Sequence, residues 1–392
     1  MIKSIKNKMF LFFLLLLAST TFASDKPVWT IDHKKLNLPE IGKPVSYNKW
    51  VTEGLYDKPD PNFKVHFTLD NKILVSFLHY RPQTELKPND KVKKFDTFFV
   101  SLLLSKENGE LIRRVEWPLG ESTQIQRLGY GSCMYPLPLG GYVGIINQHL
   151  QLFDSSFNVI DDRVLNTLEP GGGMYYIIVP LSGKFIILMR QKSVTQFEKI
   201  IEIINADTFE TMEQLEIPSF GMIDIWEDRL LSISYEHQLI EKKIAALQWD
   251  DLGLDESNIT NNTARFIYNG AIVAKGLIRR SPEEKRFLVM IEDGKKSAPV
   301  FDGCMSKPSM STPVVVCRES KLSEIRDILD LSGKNWIAIY DLNTRQVLLA
   351  TKEYSAADMI DYAISPDGSS ILVMTEKKIE LYNVNFKKDK KK

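Results

Sequence analysis

The chain has 392 residues, with 50 basic and 50 acidic side chains in balance. A neutral chain has no overall electrostatic reason to seek nucleic acid or an anionic surface, so neither is expected as a partner. This length would ordinarily make two or three domains, unless internal repeats turn it into one.

The first element is an export signal. Lys3, Lys6 and Lys8 precede an apolar run from Met9 to Leu17, and Thr21 and Ala23 stand at the −3 and −1 positions of a cleavage site. The run is too short to cross a bilayer, which takes about 20 helical residues. Residues 1–23 therefore read as a signal peptide, and the mature protein as secreted or periplasmic. No cysteine follows the run to carry a lipid, and no later segment reads as a membrane span. Removing the signal takes away three lysines and no acids, leaving 47 basic against 50 acidic side chains.

From residue 63 onward, short strands rich in Ile, Val, Leu and Tyr alternate with Gly, Asp, Asn and Ser turns, the pattern of successive hairpins. Turn-then-strand signals recur at Leu69-Asp70-Asn71-Lys72-Ile73, Pro138-Leu139-Gly140-Gly141-Tyr142, Leu181-Ser182-Gly183-Lys184-Phe185 and Trp226-Glu227-Asp228-Arg229-Leu230. Strand-then-turn signals recur at Leu103-Leu104 before Asn108-Gly109, at Leu152-Phe153-Asp154, at Ile203-Ile204-Asn205 and at Leu247-Gln248-Trp249-Asp250. Near the C-terminus, Ser281-Pro282 and its following strand echo Ser365-Pro366-Asp367-Gly368 and its strand, 84 residues later. Ile337-Ala338-Ile339-Tyr340-Asp341 echoes Ile379-Glu380-Leu381-Tyr382-Asn383 at half that spacing, 42 residues.

A repeat of about 40–50 residues fits one four-stranded blade. A single such sheet leaves two open edges and too little buried surface, whereas radial stacking covers its faces. The expected fold is thus an all-β propeller of seven four-stranded blades over residues 63–386, with six or eight as the alternatives. Residues 24–62 form an N-terminal extension, in which Val28-Trp29-Thr30-Ile31 is placed to supply the outer strand the last repeat lacks. Residues 387–392 are a solvated basic tail.

Ser365 to Asn385, with its S-P-D-G turn and I-x-L-Y-N-V strand, resembles a repeat of the WD-repeat, YVTN and quinoprotein-like propeller superfamily. The resemblance covers roughly residues 270–385 and implies a propeller. The His and Trp-Asp signature of true WD repeats is missing from these repeats, and function does not come with such a fold. Two stretches break the pattern. Residues 79–96 read as a polar insertion. Residues 320–332 read as a short inserted helix, with Leu322, Ile325, Ile328 and Leu329 on one face and Gly333 ending it.

Chemistry is sparse. His33, His66, His79, His149 and His237 show no metal-ligand spacing; there is no Cys-x-x-Cys and no calcium loop, so no metal or other cofactor is expected. Gly129-Tyr130-Gly131-Ser132-Cys133 lacks the spacing of a nucleophile turn and reads as the entry to a strand. Gly171, Gly172 and Gly173 read as a tight link between blades, on a ring face where ligands bind. Cys304 and Cys317 bracket a short segment, and export makes a disulfide between them permissible. Closing that loop would stabilise by roughly 3 kcal/mol; the alternative is two separate buried thiols, and Cys133 reads as a small core residue. The adjacent acids Asp161-Asp162, Asp250-Asp251 and Glu283-Glu284 belong to solvated turns. Asn258 and Asn261 head glycosylation patterns that matter only in a eukaryotic host. Trp117, Trp226, Trp249 and Trp336 read as packing between blades.

The leading expectation is an exported monomer that binds or scaffolds an unknown protein or small-molecule ligand without catalysis. The alternative is an exported propeller enzyme, such as a quinoprotein-like dehydrogenase, lyase or hydrolase, with residues converging at the central channel. Acids and bases meeting there from three or more blades would favour the enzyme.

Overall fold

A computed structural model of the chain describes residues 26–40, 61–83, 94–123, 132–165, 175–191, 199–217, 223–233, 239–244, 250–251, 259–267, 269–280, 283–292, 295–296, 301–302, 305–309, 311–321, 334–344, 346–355 and 358–384. Within these residues the strands form seven antiparallel sheets, five of four strands and two of five. Six sheets use consecutive strands: blade 1 (residues 64–123), blade 2 (133–164), blade 3 (175–217), blade 4 (223–251), blade 5 (259–302) and blade 6 (305–355). Blade 7 combines residues 359–383 with Trp29–Asp32 from the other end of the chain.

Blade 7 shows why the sheets must stack. Its second strand, Ser370–Thr375, is buried along its whole length. Successive side chains on a strand point to opposite faces. Leu372 and Met374 therefore join Val65, Ile73 and Val75 of blade 1. Ile371 and Val373 instead join Val316, Ile337 and Ile339 of blade 6. One strand thus serves two interfaces.

The same device runs around the ring. Leu74 and Phe99 of blade 1 meet Met134 and Phe153 of blade 2. Val143 and Leu150 meet Ile177 and Leu188 of blade 3. Ile187 and Ile201 meet Ile225 and Leu230 of blade 4. Ile267 and Ala271 of blade 5 meet Val315 and Cys317 of blade 6. Between blades 4 and 5, Gly270 nests on Trp226, and the Arg229 guanidinium donates to the Gly270 carbonyl at 2.9 Å.

The ring is closed by the first described strand. Trp29 to Asp32 pair with Leu381 to Lys378, filling the outer edge of blade 7. Trp29 Nε1 donates to the Lys106 carbonyl of blade 1 at 2.7 Å. Gly109, at φ +71°, leaves room for Ile31: a Cβ there would lie 2.0 Å from its Cδ1. The last S-P-D-G turn is keyed to blade 6 in the same way. Gly368 (φ +71°) lies against Thr312 and Val314, and the Ser309 hydroxyl donates to the Pro366 carbonyl at 2.8 Å.

A buried polar knot joins blades 6 and 7. Glu380, 2% exposed, accepts from Tyr354 at 2.7 Å, from Tyr382 at 3.1 Å and from Lys352 at 2.7 Å. Burial, together with the neighbouring carboxylate, pushes both phenols well above their ordinary range and keeps them as donors.

The turn-then-strand signals at residues 69, 138, 181 and 226 all fall between the inner and second strands of their blades. Two expectations are corrected. The 84-residue echo is out of phase: Glu283–Glu292 is the third strand of blade 5, while Ser370–Thr375 is the second strand of blade 7. Both follow a Ser-Pro pair and carry apolar residues in the sequence, and local sequence does not distinguish second from third strands. The 42-residue echo is in phase, since Lys334–Asp341 and Lys378–Asn383 are both third strands.

Residues 79–96 are not a wholly separate insertion. Lys72–Pro82 and Lys94–Ser105 run on as one ladder, pairing His79 with Phe98 and Arg81 with Asp96. Polar residues there prolong a hairpin beyond the core. Ser320 and Lys321 end a strand, Val314–Lys321; the rest of the expected helix lies outside the described residues. The one helical element among the described residues is a 3-10 turn, His33–Leu36.

Two substitutions test these contacts. Ile31→Ala should cost about 2–4 kcal/mol, as for a buried aliphatic truncation. Tyr354→Phe removes a donor from a buried carboxylate and should cost about 1–3 kcal/mol. Urea unfolding of the purified variants checks both.

Candidate functional site

The inner strands border the ring axis: Lys64–Phe67, Cys133–Pro136, Tyr175–Ile178, Ile223–Trp226, Ile259–Phe266, Met305–Pro308 and Met359–Ile364. In Lys64-Val65-His66-Phe67, alternation sends Val65 and Phe67 into the interface with blade 7. The His66 ring instead lies against Tyr135 of blade 2, 4.9 Å between centroids.

Asp361 of blade 7 ties three blades together. One carboxylate oxygen accepts the Val65 N–H of blade 1 at 2.9 Å, and the other accepts Lys307 Nζ of blade 6 at 3.1 Å. Lys307 also donates to the Tyr362 carbonyl and sits 5.0 Å from the centre of its ring. Asp224 repeats the motif between blades 4 and 5, accepting the Phe266 N–H at 2.9 Å. Inner-strand carboxylates therefore occupy the amide donors of the next blade.

The electrostatics follow from this placement. Burial opposes ionisation of Asp361, but Lys307, His66 and the Val65 amide outweigh it and hold the carboxyl below its usual range. For His66, burial is the largest influence and Lys307 adds to it, so the imidazole falls to about 3 despite Asp361. Its Nε2 is buried and lacks a hydrogen-bond partner among the described residues. Burial pushes the Cys133 thiol up to about 12, which removes the thiolate a nucleophile needs.

The residues singled out in the sequence are dispersed. Ser132 is buried and leads into the blade 2 strand that Cys133 begins. His33 lies in the 3-10 turn after the ring-closing strand, lowered by burial to about 4 against the pull of Asp32. His79 is on the second strand of blade 1. His149 meets Asp162 at 2.9 Å across the outer hairpin of blade 2. Asp161 and Asp162 are exposed there, Asp250-Asp251 form the outer strand of blade 4, and Glu283-Glu284 open the third strand of blade 5. Among the described residues, no three His, Cys, Asp or Glu side chains stand close enough to hold a metal.

Gly171, Gly172, Gly173, His237 and Cys304 lie outside the described residues, and with Cys304 the expected disulfide. Cys317 is fully buried between blades 5 and 6. Sequence reasoning missed Asp224, Lys307 and Asp361. The available signal was a carboxylate inside an apolar run, as in Ile223-Asp224-Ile225 and Ile360-Asp361-Tyr362.

No protein-family model matches the chain, and no curated protein sequence does. Solved structures do. The β-propeller domain of the Trilobed protease from Pyrococcus furiosus aligns at 11% identity and TM-score 0.50, over 82% of this chain and 92% of that one. The fold is a β-propeller. The WD40 domain of Neurospora crassa Pan2 aligns at 8% identity and TM-score 0.48, over 92% and 95% of the two chains. The C-terminal WD40 domain of Sif2 aligns at 11% and 0.44, over 83% and 96%. The Pyrococcus furiosus propeller domain has an open velcro topology. In this propeller the N-terminal strand closes the last blade. No helix of the described residues is long and apolar enough to cross a membrane.

The inner ring has a pH signature. As pH falls below about 6.5, the unfolded chain protonates at His66, whereas the folded ring resists until about 3. The unfolded state thus binds the extra proton, and stability declines with falling pH across that window. His66→Gln should flatten the dependence of the urea midpoint on pH over the same window.

Proposed function

We propose that this chain is an exported β-propeller acting as a non-catalytic binding or scaffolding protein. One observation carries this reading. Asp224, Lys307 and Asp361 of the inner strands are engaged in holding blades together. Asp361 and Asp224 cap neighbouring backbone amides, Lys307 is paired with Asp361, and burial holds Cys133 as a thiol. A rigid ring that presents loops on two faces is a support onto which recognition is grafted. Export rests on the charged head, apolar centre and small-residue exit of residues 1–23.

A second reading keeps one specific observation on its side. His66, Lys307 and Asp361 bring a base, a cation and an acid together from blades 1, 6 and 7. That convergence is what an exported propeller enzyme would use. The low basicity of His66 argues against it as a general base near neutral pH.

Intact-mass analysis of protein recovered from the periplasm or medium tests both points. The expected species begins at Ser24 and carries no stoichiometric metal or redox group. Recovery only of cytoplasmic chain beginning at Met1 would overturn export. A tightly held quinone or metal would favour the enzyme.

A further inference from the structure

The outer strands of blades 1, 2 and 3 share an irregularity at one end. In blade 1, Leu104 pairs with Leu111 and Leu103 with Arg113, so Ile112 is an extra residue. In blade 2, Phe153 pairs with Val159 and Leu152 with Asp161, which makes Ile160 the extra one. In blade 3, Ile204 pairs with Thr211 and Ile203 with Glu213, leaving out Met212. Each is a β-bulge, which bends a strand and re-aims a side chain. Ile112, Ile160 and Met212 are 51%, 62% and 51% exposed. Blade 6 has the same bulge at Leu348, but there the side chain packs against the interface with blade 7. The bulge alone therefore does not force exposure.

Exposed apolar residues concentrate at these bulges. With Leu111 and Val159, the first two residues of the three strands supply five of the ten large apolar side chains exposed among the described residues. Every turn at this end of blades 1 to 3 is described, and their strands border undescribed residues only at the opposite ends. The exposed charges of turns 106–110, 154–158 and 206–210, and of the first three residues of each outer strand, are Glu107, Glu110, Asp161, Asp207 and Glu210 against Arg113. Lys106 is turned to Asn71 and to Ser369 of blade 7 instead. The rim of three consecutive blades is thus apolar with an acidic border.

We propose that this rim docks an amphipathic helix of a partner protein, its apolar face over Ile112, Ile160 and Met212 and its flanks carrying lysine or arginine. Docking of this kind rests on the reading of the chain as a binding protein and gives that reading a surface. Stacked sheets lie about 10 Å apart, so the three bulges span at least about 20 Å, the length of about 14 helical residues. An added strand fits poorly, because each bulge breaks the regular edge that it would extend. The acidic border selects a basic partner. It also sets two copies of this rim, or an anionic lipid surface, against like charge.

Fluorescence anisotropy with the mature chain tests the rim, using two labelled synthetic helices of about 18 residues, or about 27 Å. Both carry a leucine face; one is flanked by lysine and the other by glutamate. The lysine helix should bind saturably, and the methyl NMR signals of Ile112, Ile160 and Met212 should shift along the same titration. Ile160→Ser should weaken binding several-fold, and Ile112→Ser, Ile160→Ser and Met212→Ser combined should weaken it at least about tenfold. Val164→Ser, at the far end of the blade 2 strand, should leave it unchanged. Binding that fails to saturate, unmoved methyl signals, or equal binding of the glutamate helix would each overturn the proposal. Equal binding by the folded triple variant would do so as well. Native dimers that dissociate on Ile160→Ser would assign the rim to a second copy instead, and Ile160-dependent pelleting with phosphatidylcholine vesicles to a membrane. The methyl signals are read in native protein, so the test stands even if a variant does not fold. None of these failures touches the broader reading, which falls instead to a tightly held quinone or metal.

Discussion

The fold depends on one antiparallel pairing, that of Trp29–Asp32 with the strand Lys378–Asn383. Each blade hides its faces only against neighbours, so an array of seven has two unprotected ends until those ends meet. Pairing the first strand with the last turns a row of sheets into a circle. It also places Ile31 and Leu36 in the interface between blades 7 and 1, where Leu372, Met374 and Val75 already converge. A single short strand thereby supports both a sheet edge and a face-to-face contact.

Polar groups at the centre reinforce the same geometry. A buried carboxylate is costly unless its lone pairs are occupied. Asp361 meets that condition with a backbone amide from one blade and an ammonium from another. Removal of either partner would leave charge without compensation in a confined space. Blade spacing at the axis is therefore set by hydrogen-bond length as well as by packed side chains. The knot of Glu380 with Tyr354, Tyr382 and Lys352 does similar work between blades 6 and 7, this time bringing two phenols and an ammonium onto one acid.

Much of the architecture was legible in the sequence, because hairpin turns and apolar strands are local signals. Leu69 to Asn71, Leu181 to Gly183 and Glu227-Asp228 could be read as turns without knowing their neighbours. The strand index within a blade was less legible. Second and third strands both carry apolar runs, so Ser281-Pro282 echoes Ser365-Pro366 although the strands that follow hold different places in their blades. The inner-strand fastening was hidden for another reason. Lys307 and Asp361 lie 54 residues apart, and Asp361 and Val65 lie 296 apart.

The closing strand also imposes an order on how the molecule is made. Trp29 leaves the ribosome long before Leu381, its partner across the ladder. During synthesis the opening segment has no sheet to join, and completed hairpins wait with one flank bare. Final closure is thus postponed until the strand Lys378–Asn383 has been made, and a chain cut short before that strand leaves Trp29–Asp32 without its partner.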